Sequence, residues 1–292
     1  MNAKRQGALY VNGRLSSEDE PSVSALDRGF TLGDGVFETM RAPRGRIFRL
    51  AQHLARLRMG AAVLALALPL DEELAAGLQR ALAHLGEAPA IMRLTVTRGI
   101  DKGRGIGLPT SSTPTVAIRA TPASKRSSEA AVKGYRARIS PIRRNETSPL
   151  SRIKSCNYGD SVLARLEAQR LGCDEAILLN GRGEVACATT ANVFAVKSDK
   201  LWTAPVESGV LPGITRACIL ELAATLRVDS SAAPFDRDFL LHADECFLTN
   251  SASGVVPVTE IDGRAVGSGH PGPATRELAA SYERLIETEL RT

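Results

Sequence analysis

The stretch "TPASKRSSEA", residues 121–130, interrupts the apolar patterning near the middle of the chain. It is rich in Ser, Lys and Pro and has no apolar period, which is typical of a linker. A chain of 292 residues is too long for one small core and suits two domains or one large one. The interruption therefore predicts a smaller N-terminal α/β domain over 1–120, a linker over 121–130 and a larger domain over 131–292.

Both halves of the chain mix strand and helix patterns, which predicts an α+β fold. In the first half, "ALYVNGRL" predicts a hairpin on an Asn-Gly turn, and "VFETMRA" and "RIFRL" predict two strands about "PRG". Residues 50–67 and 71–85 have the apolar spacing of helices. In the second half, "GDSVLARLEAQRLG" predicts a helix that ends at Gly172, and "GPATRELAASYERLIETEL" predicts the last helix.

The composition is that of an ordinary globular protein, with 43% hydrophobic, 24% charged and 4% aromatic residues. The net charge is +5, but no dense basic block with interleaved aromatic residues occurs. A rim that suits acidic small molecules explains this charge better than a nucleic-acid surface. We therefore expect a small-molecule substrate and no nucleic-acid partner.

The cysteines and the apolar runs bear on the compartment. The five cysteines are odd in number and include no C-x-x-C pair, which argues against a disulfide framework or a zinc site. The longest apolar run, residues 60–70, is too short to span a bilayer. We expect a cytoplasmic protein with no membrane partner and no metal.

Lys154 stands in "SRIKSCNYGD", a stretch with little other charge. A surface lysine at the entrance to a helix is the simpler interpretation. The alternative is a Schiff-base lysine, whose amine must be desolvated or lie near other cations to be nucleophilic at neutral pH. The rest of the chain has to decide between the two.

Two loops favour the Schiff-base interpretation. The Pro-Gly turn of "GVLPGITR" leads directly into a helix, where the amides of Gly213, Ile214 and Thr215 can bind a phosphate. The loop "TNSASG", residues 249–254, carries hydroxyl groups with the same capacity. A lysine together with two phosphate-binding loops indicates pyridoxal phosphate, held as an imine.

Several motifs follow one another along the chain: "LGDGVFETMR", "HLARL", "IKSCNY", "TTANVF" and "GVLPGITR". In these motifs and their order the sequence resembles the class-IV aminotransferases. These pyridoxal phosphate enzymes of fold type IV include branched-chain and D-amino-acid transaminases and 4-amino-4-deoxychorismate lyase. The resemblance covers nearly the whole chain. It implies a two-domain architecture with the cofactor between the domains, and a homodimer.

The resemblance also implies roles for individual residues. Lys154 matches the Schiff-base lysine, and Arg56 in "HLARL" matches the arginine that grips the cofactor phosphate. Tyr158 lies near the position of a tyrosine that contacts the cofactor phenolate oxygen in some relatives. We interpret His53 as structural and Asn192 as a strand-end hydrogen-bonding residue. The other cofactor-binding candidates are Cys187, Gly213, Ile214, Thr215, Ser251 and Ala252, and the substrate-binding candidates are Thr39, Arg98 and Arg104.

Cys187 in "GEVACATTANVF" departs from the family pattern. The family places a glutamate there, against the pyridine nitrogen of the cofactor, and keeps that nitrogen protonated. A thiol is a weak donor and is normally neutral, so it cannot hold a pyridinium as a carboxylate does. Glu184 lies three positions earlier, and an odd offset on a strand places it on the opposite face. We do not expect Glu184 to substitute.

The identity of the reaction rests on this departure, on one loop and on "TNSASGVVPV", which resembles aminodeoxychorismate lyases more than the branched-chain transaminases. Elimination tolerates a neutral ring better than transamination does, so Cys187 favours a lyase. Residues 97–109 resemble a loop of aminodeoxychorismate lyases, and the guanidinium groups of Arg98 and Arg104 suit a dicarboxylate. We therefore expect an enzyme similar to 4-amino-4-deoxychorismate lyase, which releases pyruvate. Two alternatives stay open: an amino-acid transaminase of the D-amino-acid or branched-chain type, and a weakly active relative that binds the cofactor.

Overall fold

The chain divides into two units. The computed structural model describes residues 7–17, 19–20, 23–123 and 133–291. Unit 1 comprises Met1–Ser124 and Ile153–Asn157, and unit 2 comprises Lys125–Arg152 and Tyr158–Thr292. Most of the predicted linker, residues 121–130, lies outside the described residues.

Unit 1 is built on a five-stranded antiparallel sheet with the strand order β2-β1-β5-β4-β3. Its strands are β1 (Ala8–Val11), β2 (Arg14–Ser16), β3 (Gly35–Ala42), β4 (Ala90–Thr97) and β5 (Thr115–Pro122). Its helices are α1 (Arg28–Leu32), α2 (Leu50–Val63) and α3 (Asp71–Ala83). The apolar faces of α2 and α3 pack with the sheet in one core cluster that includes Met40, Leu57, Leu78 and Leu94.

The turns of unit 1 confirm one local prediction and correct another. The first hairpin turns on Asn12 and Gly13, whose φ angles of 48° and 93° are the positive values that this tight turn requires. The segment "RIFRL" is not a strand. Arg44, two residues before it, and Arg49, within it, have left-handed φ angles of 55° and 50° and bend the chain. The segment therefore leads into α2, which begins at Leu50.

The segment Ile153–Asn157 belongs to unit 1, whereas the sequence pattern places Lys154 in the C-terminal domain. The reason is backbone pairing with β3. The amide of Phe37 donates to the carbonyl of Lys154 at 2.8 Å, and the amide of Cys156 donates to the carbonyl of Gly35 at 2.9 Å. Pairing over such a distance in sequence follows from the fold and cannot be seen in a local pattern.

Unit 2 contains a nine-stranded sheet and four helices among its described residues. Its strands are β6 (Tyr135–Ile139), β7 (Glu175–Leu179), β8 (Val185–Ala188), β9 (Asn192–Lys197), β10 (Lys200–Thr203), β11 (Ser230–Ala232), β12 (Glu245–Asn250), β13 (Gly254–Ile261) and β14 (Arg264–Ala265). Its helices are α4 (Gly159–Arg170), α5 (Ile214–Thr225), α6 (Arg237–Leu241) and α7 (Pro273–Glu289). The predicted helix before Gly172 and the predicted C-terminal helix are thus confirmed.

The sheet of unit 2 closes on itself. The strand order is β11-β10-β9-β12-β13-β6-β7-β8, and β8 also pairs with β9. Phe194 of β9 stacks on Phe247 of β12 with their ring centroids 4.9 Å apart. Cys187 of β8 is the register partner of Asn192 of β9, so it lies where the ring of strands closes. No helix in the described parts of the chain is long and apolar enough to cross a membrane.

Candidate active site

The amine of Lys154 lies against an aromatic ring in unit 1. Its Nζ is 4.2 Å from the centroid of the Phe37 ring, which is a cation–π distance. Burial lowers the pKa of this amine to about 7; the charge of Glu38 opposes the change, and the charges of Arg56 and Arg93 add to it. A large share of the amine is therefore neutral near pH 7, as a nucleophilic lysine requires.

A glycine on α2 lets the Lys154 segment come close to that helix. A Cβ on Gly60 would lie 3.3 Å from Cγ1 of Val36 and 3.5 Å from Cβ of Ile153. Both neighbours are branched side chains in the segments that pair with each other. The absence of a side chain at Gly60 thus helps to bring α2, and Arg56 with it, next to the lysine.

Arg56 lies on α2 and is held by a buried carboxylate. Its Nε and Nη2 donate to Oε1 and Oε2 of Glu38, each at 2.7 Å. The Nδ1 of His53 lies 2.7 Å from the same Oε2. Glu38 and His53 are 0% and 1% exposed. Lys154 and Arg56, two of the predicted cofactor ligands, therefore share one cluster of charges in unit 1.

Arg93 on β4 is a member of this cluster that the sequence motifs do not indicate. Its guanidinium carbon lies 3.7 Å from the centroid of the Phe37 ring, and its side chain is exposed. Thr39, a predicted substrate contact, is its register partner on β3 and is half-buried. The signal in the sequence is one arginine within the strand pattern "AIMRLTVT", which by itself is typical of an ordinary outward-facing residue. Only the pairing of β4 with β3 places it beside Phe37.

Arg98, predicted to bind substrate, makes hydrogen bonds within unit 1. Its Nε and Nη2 donate to the carboxylate of Asp34 at 2.7 and 3.1 Å. Its Nη1 and Nη2 also donate to the carbonyls of Ala65 and Leu64 at 3.0 and 2.6 Å. The residue is only 5% exposed. Four of its five N–H groups thus donate hydrogen bonds within unit 1. A buried arginine needs such partners.

The loop after β4 is hydrogen-bonded to Arg28 of α1. Arg28 donates through Nη1 to Asp101 at 3.0 Å and to the carbonyl of Gly107 at 3.0 Å, and through Nε to Asp34 at 2.9 Å. Arg104, the other predicted substrate contact of this loop, is exposed. Arg28 and Arg98 both donate to the carboxylate of Asp34, and these bonds order the loop.

In unit 2, the predicted anion-binding turn opens α5. Gly213 is the residue before the helix. As a glycine it has no side chain that could cap the first amides of the helix. A Cβ on Gly213 would collide with Oδ1 of Asn192, whose Nδ2 donates to the carbonyl of Leu211 at 3.0 Å. Asn192 therefore shapes the turn, as a hydrogen-bonding residue at the start of its strand. The amides of Ile214 and Thr215 lie in the first turn, where a helix attracts anions.

Ser251 and Ala252 lie in the three-residue turn between β12 and β13, closed by the pairing of Asn250 with Gly254. The side chain of Asn250 accepts a hydrogen bond from the amide of Ser253 at 2.7 Å, which orders this turn. Within the described part of the chain, the buried Oγ1 of Thr249 has no hydrogen-bond partner. An orphaned hydroxyl next to a hydroxyl-bearing turn is what an absent polar ligand would satisfy.

The two remaining predicted cofactor contacts are also in unit 2. Tyr158 is half-buried and immediately precedes α4. Cys187 is half-buried; burial raises the pKa of its thiol, the positive charge of Arg144 opposes the change, and Glu175 adds to it. The thiol is thus neutral at physiological pH. Glu184 is engaged elsewhere, since it accepts hydrogen bonds from Arg182 and Asn180, each at 2.7 Å.

The folds of solved proteins match this architecture over almost its whole length. The branched-chain amino acid aminotransferase of Escherichia coli superposes with a TM-score of 0.90 at 28% identity, covering 96% of this chain and 94% of that one. The branched-chain aminotransferase of the archaeon Thermoproteus uzoniensis, solved with norvaline, superposes with a TM-score of 0.86 at 32% identity, with the same coverage. The fold is therefore that of the fold-type IV pyridoxal phosphate enzymes, as the motifs predict.

The sequence comparisons place the chain in a family. The amino-transferase class IV profile matches residues 35–261. The D-alanine aminotransferase of Bacillus licheniformis is 34% identical over 286 residues, which cover 96% of this chain and 98% of that protein. The chain belongs to the class IV aminotransferases. Its relatives carry the names of aminotransferases, which supports the transaminase alternative over the predicted lyase.

The cofactor of the family is pyridoxal phosphate, as predicted, and a further branched-chain aminotransferase of this fold was solved with pyridoxamine 5'-phosphate. Three features of the present chain fit that group: a lysine amine whose pKa is about 7, a helix that begins without a side-chain cap, and an orphaned buried hydroxyl. The first feature suits attack on an aldehyde, and the other two suit a phosphate. The chain is thus a pyridoxal-phosphate-dependent enzyme.

Proposed function

We propose that this protein is an amino-acid aminotransferase, which moves an amino group from an amino acid to a 2-oxo acid. The observation that carries the proposal is the Lys154 amine, whose pKa is about 7 and which lies in one charged cluster with Arg56. The names of its relatives, branched-chain and D-alanine aminotransferases, support this reaction and suggest small amino acids as donors.

Lys154 has two tasks in this proposal. Bound pyridoxal phosphate supplies an aldehyde carbon and an electron-withdrawing ring. Nζ of Lys154 would hold the cofactor by that carbon, and the free amine would accept the proton from the substrate Cα. A pKa near 7 suits both tasks, because a base is most effective when its pKa lies near the working pH.

The phosphate of the cofactor requires donors, and each unit offers some. Arg56 in unit 1 is a fixed guanidinium, and its Nε–Nη2 edge is held by Glu38. In unit 2, the amides at the start of α5 and the hydroxyl of Ser251 are donors of the type that phosphates accept. We propose each of these groups, within its own unit, as a phosphate donor.

The carboxylate of the amino acid requires a cation near Lys154. Arg93 meets this need better than Arg98, because its guanidinium is exposed over Phe37, whereas Arg98 is buried on Asp34. Stacking on an aromatic ring fixes the plane of a guanidinium, and a planar guanidinium matches the geometry of a carboxylate. Arg93 and Thr39 are therefore the substrate contacts that we propose in unit 1.

The test combines trapping of the cofactor with a panel of substrates. Borohydride should fix the cofactor on Lys154 in the parent protein, and Lys154→Ala should purify folded without the visible band and without turnover. Branched-chain L-amino acids and D-alanine, each with 2-oxoglutarate, should reveal the donor; aminodeoxychorismate with pyruvate detection tests elimination. Trapping at another lysine, or pyruvate release without any amino transfer, would refute the proposal.

A further inference from the structure

Glu38 is a carboxylate at a position that otherwise belongs to an apolar core. It lies in the middle of β3, it is 0% exposed, and its register partner Leu94 is a core residue. Placing a charge there is costly unless the charge is paired and hydrogen-bonded. The role of the Glu38 carboxylate therefore depends on the side chains to which it is hydrogen-bonded.

The partners of Glu38 are two side chains of α2. Arg56 donates to both carboxylate oxygens through its Nε and Nη2, each at 2.7 Å. The Nδ1 of His53 lies 2.7 Å from Oε2. This geometry fixes the plane of the guanidinium through one of its edges, in the manner of paired charge-assisted hydrogen bonds.

The charges of this triad are well defined. Burial alone would raise the pKa of Glu38, but the hydrogen bonds from Arg56 and His53, together with their charges, outweigh it and lower the pKa to about 2. Burial lowers the pKa of His53, against the pull of Glu38. Glu38 is thus ionised and His53 neutral near pH 7, so Nδ1 of His53 keeps its proton and donates a hydrogen bond to the carboxylate.

We propose that Glu38 is a positioning residue that holds the Arg56 guanidinium for the cofactor phosphate and supplies the negative charge that balances the cations around Lys154. The proposal rests on the proposed function, because it needs Arg56 to bind the phosphate and Lys154 to hold the cofactor. Glu38 itself touches neither group in this role. It acts through Arg56 by geometry and on Lys154 by charge.

The charge balance at Lys154 involves every element packed around it. Glu38 comes from β3, Arg56 and His53 come from α2, and Arg93 comes from β4. Among these described residues Glu38 is the anion, and its charge raises the pKa of the Lys154 amine, whereas the two arginines lower it. Removal of that charge therefore lowers the pKa of the amine further.

The first experiment separates the phosphate from the rest of the cofactor. The dissociation constants of pyridoxal phosphate and of pyridoxal, which lacks the phosphate, are measured for the parent, Glu38→Gln, Arg56→Ala and the double variant. The preference for the phosphorylated form should fall by about tenfold in Glu38→Gln, because the guanidinium is no longer held. The double variant should show the same preference as Arg56→Ala alone, since Glu38 acts through Arg56.

The second experiment follows the Lys154 amine. The full-length protein, freed of cofactor, is incubated with pyridoxal at a series of pH values, and the borohydride-reducible link to Lys154 is quantified by mass spectrometry. The midpoint pH should move down in Glu38→Gln. In Glu38→Asp, which keeps the charge but shortens the side chain, the midpoint should stay near that of the parent while the phosphate preference falls. A loss of packing alone would not separate these two readouts.

Glu245→Gln is the matched control. Glu245 is a buried carboxylate of unit 2 that accepts hydrogen bonds from the amide and hydroxyl of Thr275 at 2.7 and 2.6 Å. Its replacement removes a buried charge outside the cluster, so both readouts should match the parent.

The outcomes distinguish this inference from the proposed function. If the parent forms no link at Lys154, or its phosphate preference is insensitive to Arg56→Ala, the proposed function is overturned. If both hold in the parent but Glu38→Gln leaves the preference and the midpoint unchanged, the role of Glu38 alone is overturned. If Glu38→Gln does not fold, Glu38→Asp decides, and an unchanged phosphate preference in that variant overturns the proposal.

Discussion

Replacing Lys154 by methionine should stabilise the cofactor-free protein, and the gain should grow as the pH falls. Methionine has nearly the same length and no charge. The pKa of the amine is about 7 in the folded protein against an ordinary value of 10.5, a difference of about 3.5 units. One unit corresponds to 1.36 kcal/mol, so the folded protein bears a penalty of up to ~5 kcal/mol for a charged Lys154.

The sign follows from the number of bound protons. Between pH 7 and 10.5 the unfolded chain binds the lysine proton and the folded chain does not. The free energy of unfolding of the parent therefore rises as the pH rises through this window. Below pH 7 both states are protonated and the penalty is complete. The advantage of Lys154→Met should thus be ~5 kcal/mol at most near pH 6 and decline by ~1.4 kcal/mol per pH unit above 7.

The assay is denaturant unfolding of both proteins at several pH values from 6 to 9, after removal of the cofactor. Lys197→Met is the matched control, because Lys197 also lies over an aromatic ring, with Nζ 4.6 Å from the centroid of Phe239, but belongs to unit 2. A stability difference between Lys154→Met and the parent that stays constant over this range would refute the depressed pKa. The nucleophile argument for Lys154 would then lose its physical basis.

Three further predictions concern the phosphate, the ring and the loop. Arg56→Ala should raise the dissociation constant of pyridoxal phosphate by about tenfold or more in equilibrium dialysis, since a charge-assisted bond contributes ~1.5–3 kcal/mol; unchanged retention would contradict it. Cys187→Glu should raise the ratio of amino transfer to elimination, because a carboxylate keeps the pyridine nitrogen protonated; a folded variant with the parent's ratio would disprove that argument. Asp34→Asn should lower the stability by ~3–5 kcal/mol, because it leaves Arg28 and Arg98 buried without their shared anion. Thermal unfolding checks this last expectation, and an unshifted melting temperature would show that the carboxylate is dispensable.

Local sequence patterns correctly predicted the turns and helices whose conformation depends on residues adjacent in the sequence. The Asn12–Gly13 turn, the helix that ends before Gly172 and the C-terminal helix all form as expected. Turn residues and helical apolar spacing act over a few positions, so a single sequence is enough to show them. The alternation of "RIFRL" is strand-like, but left-handed φ angles at Arg44, just before it, and at Arg49, within it, redirect the backbone.

Long-range pairing explains what the sequence did not reveal about the site. Lys154 is in unit 1 because its segment pairs with β3, more than a hundred residues earlier. Arg93 resembles a surface residue until β4 is paired with β3, and Glu38 resembles an ordinary strand charge until α2 covers it. Arg98 shows the converse, because its pattern suggests a substrate ligand and its contacts are those of a buried structural residue.

The charges of unit 1 connect these observations to the ligands of the enzyme. With Glu38 ionised and Lys154 about half neutral near pH 7, Arg56 and Arg93 leave the cluster with a net positive charge. A phosphate on the cofactor and a carboxylate on the substrate are anions that such a cluster attracts, and their arrival would stabilise a protonated amine. The lysine therefore meets its ligands as a neutral nucleophile and becomes a better proton acceptor once they are bound. We propose that the buried Glu38 supplies the negative charge in this balance, so Glu38→Gln tests it directly.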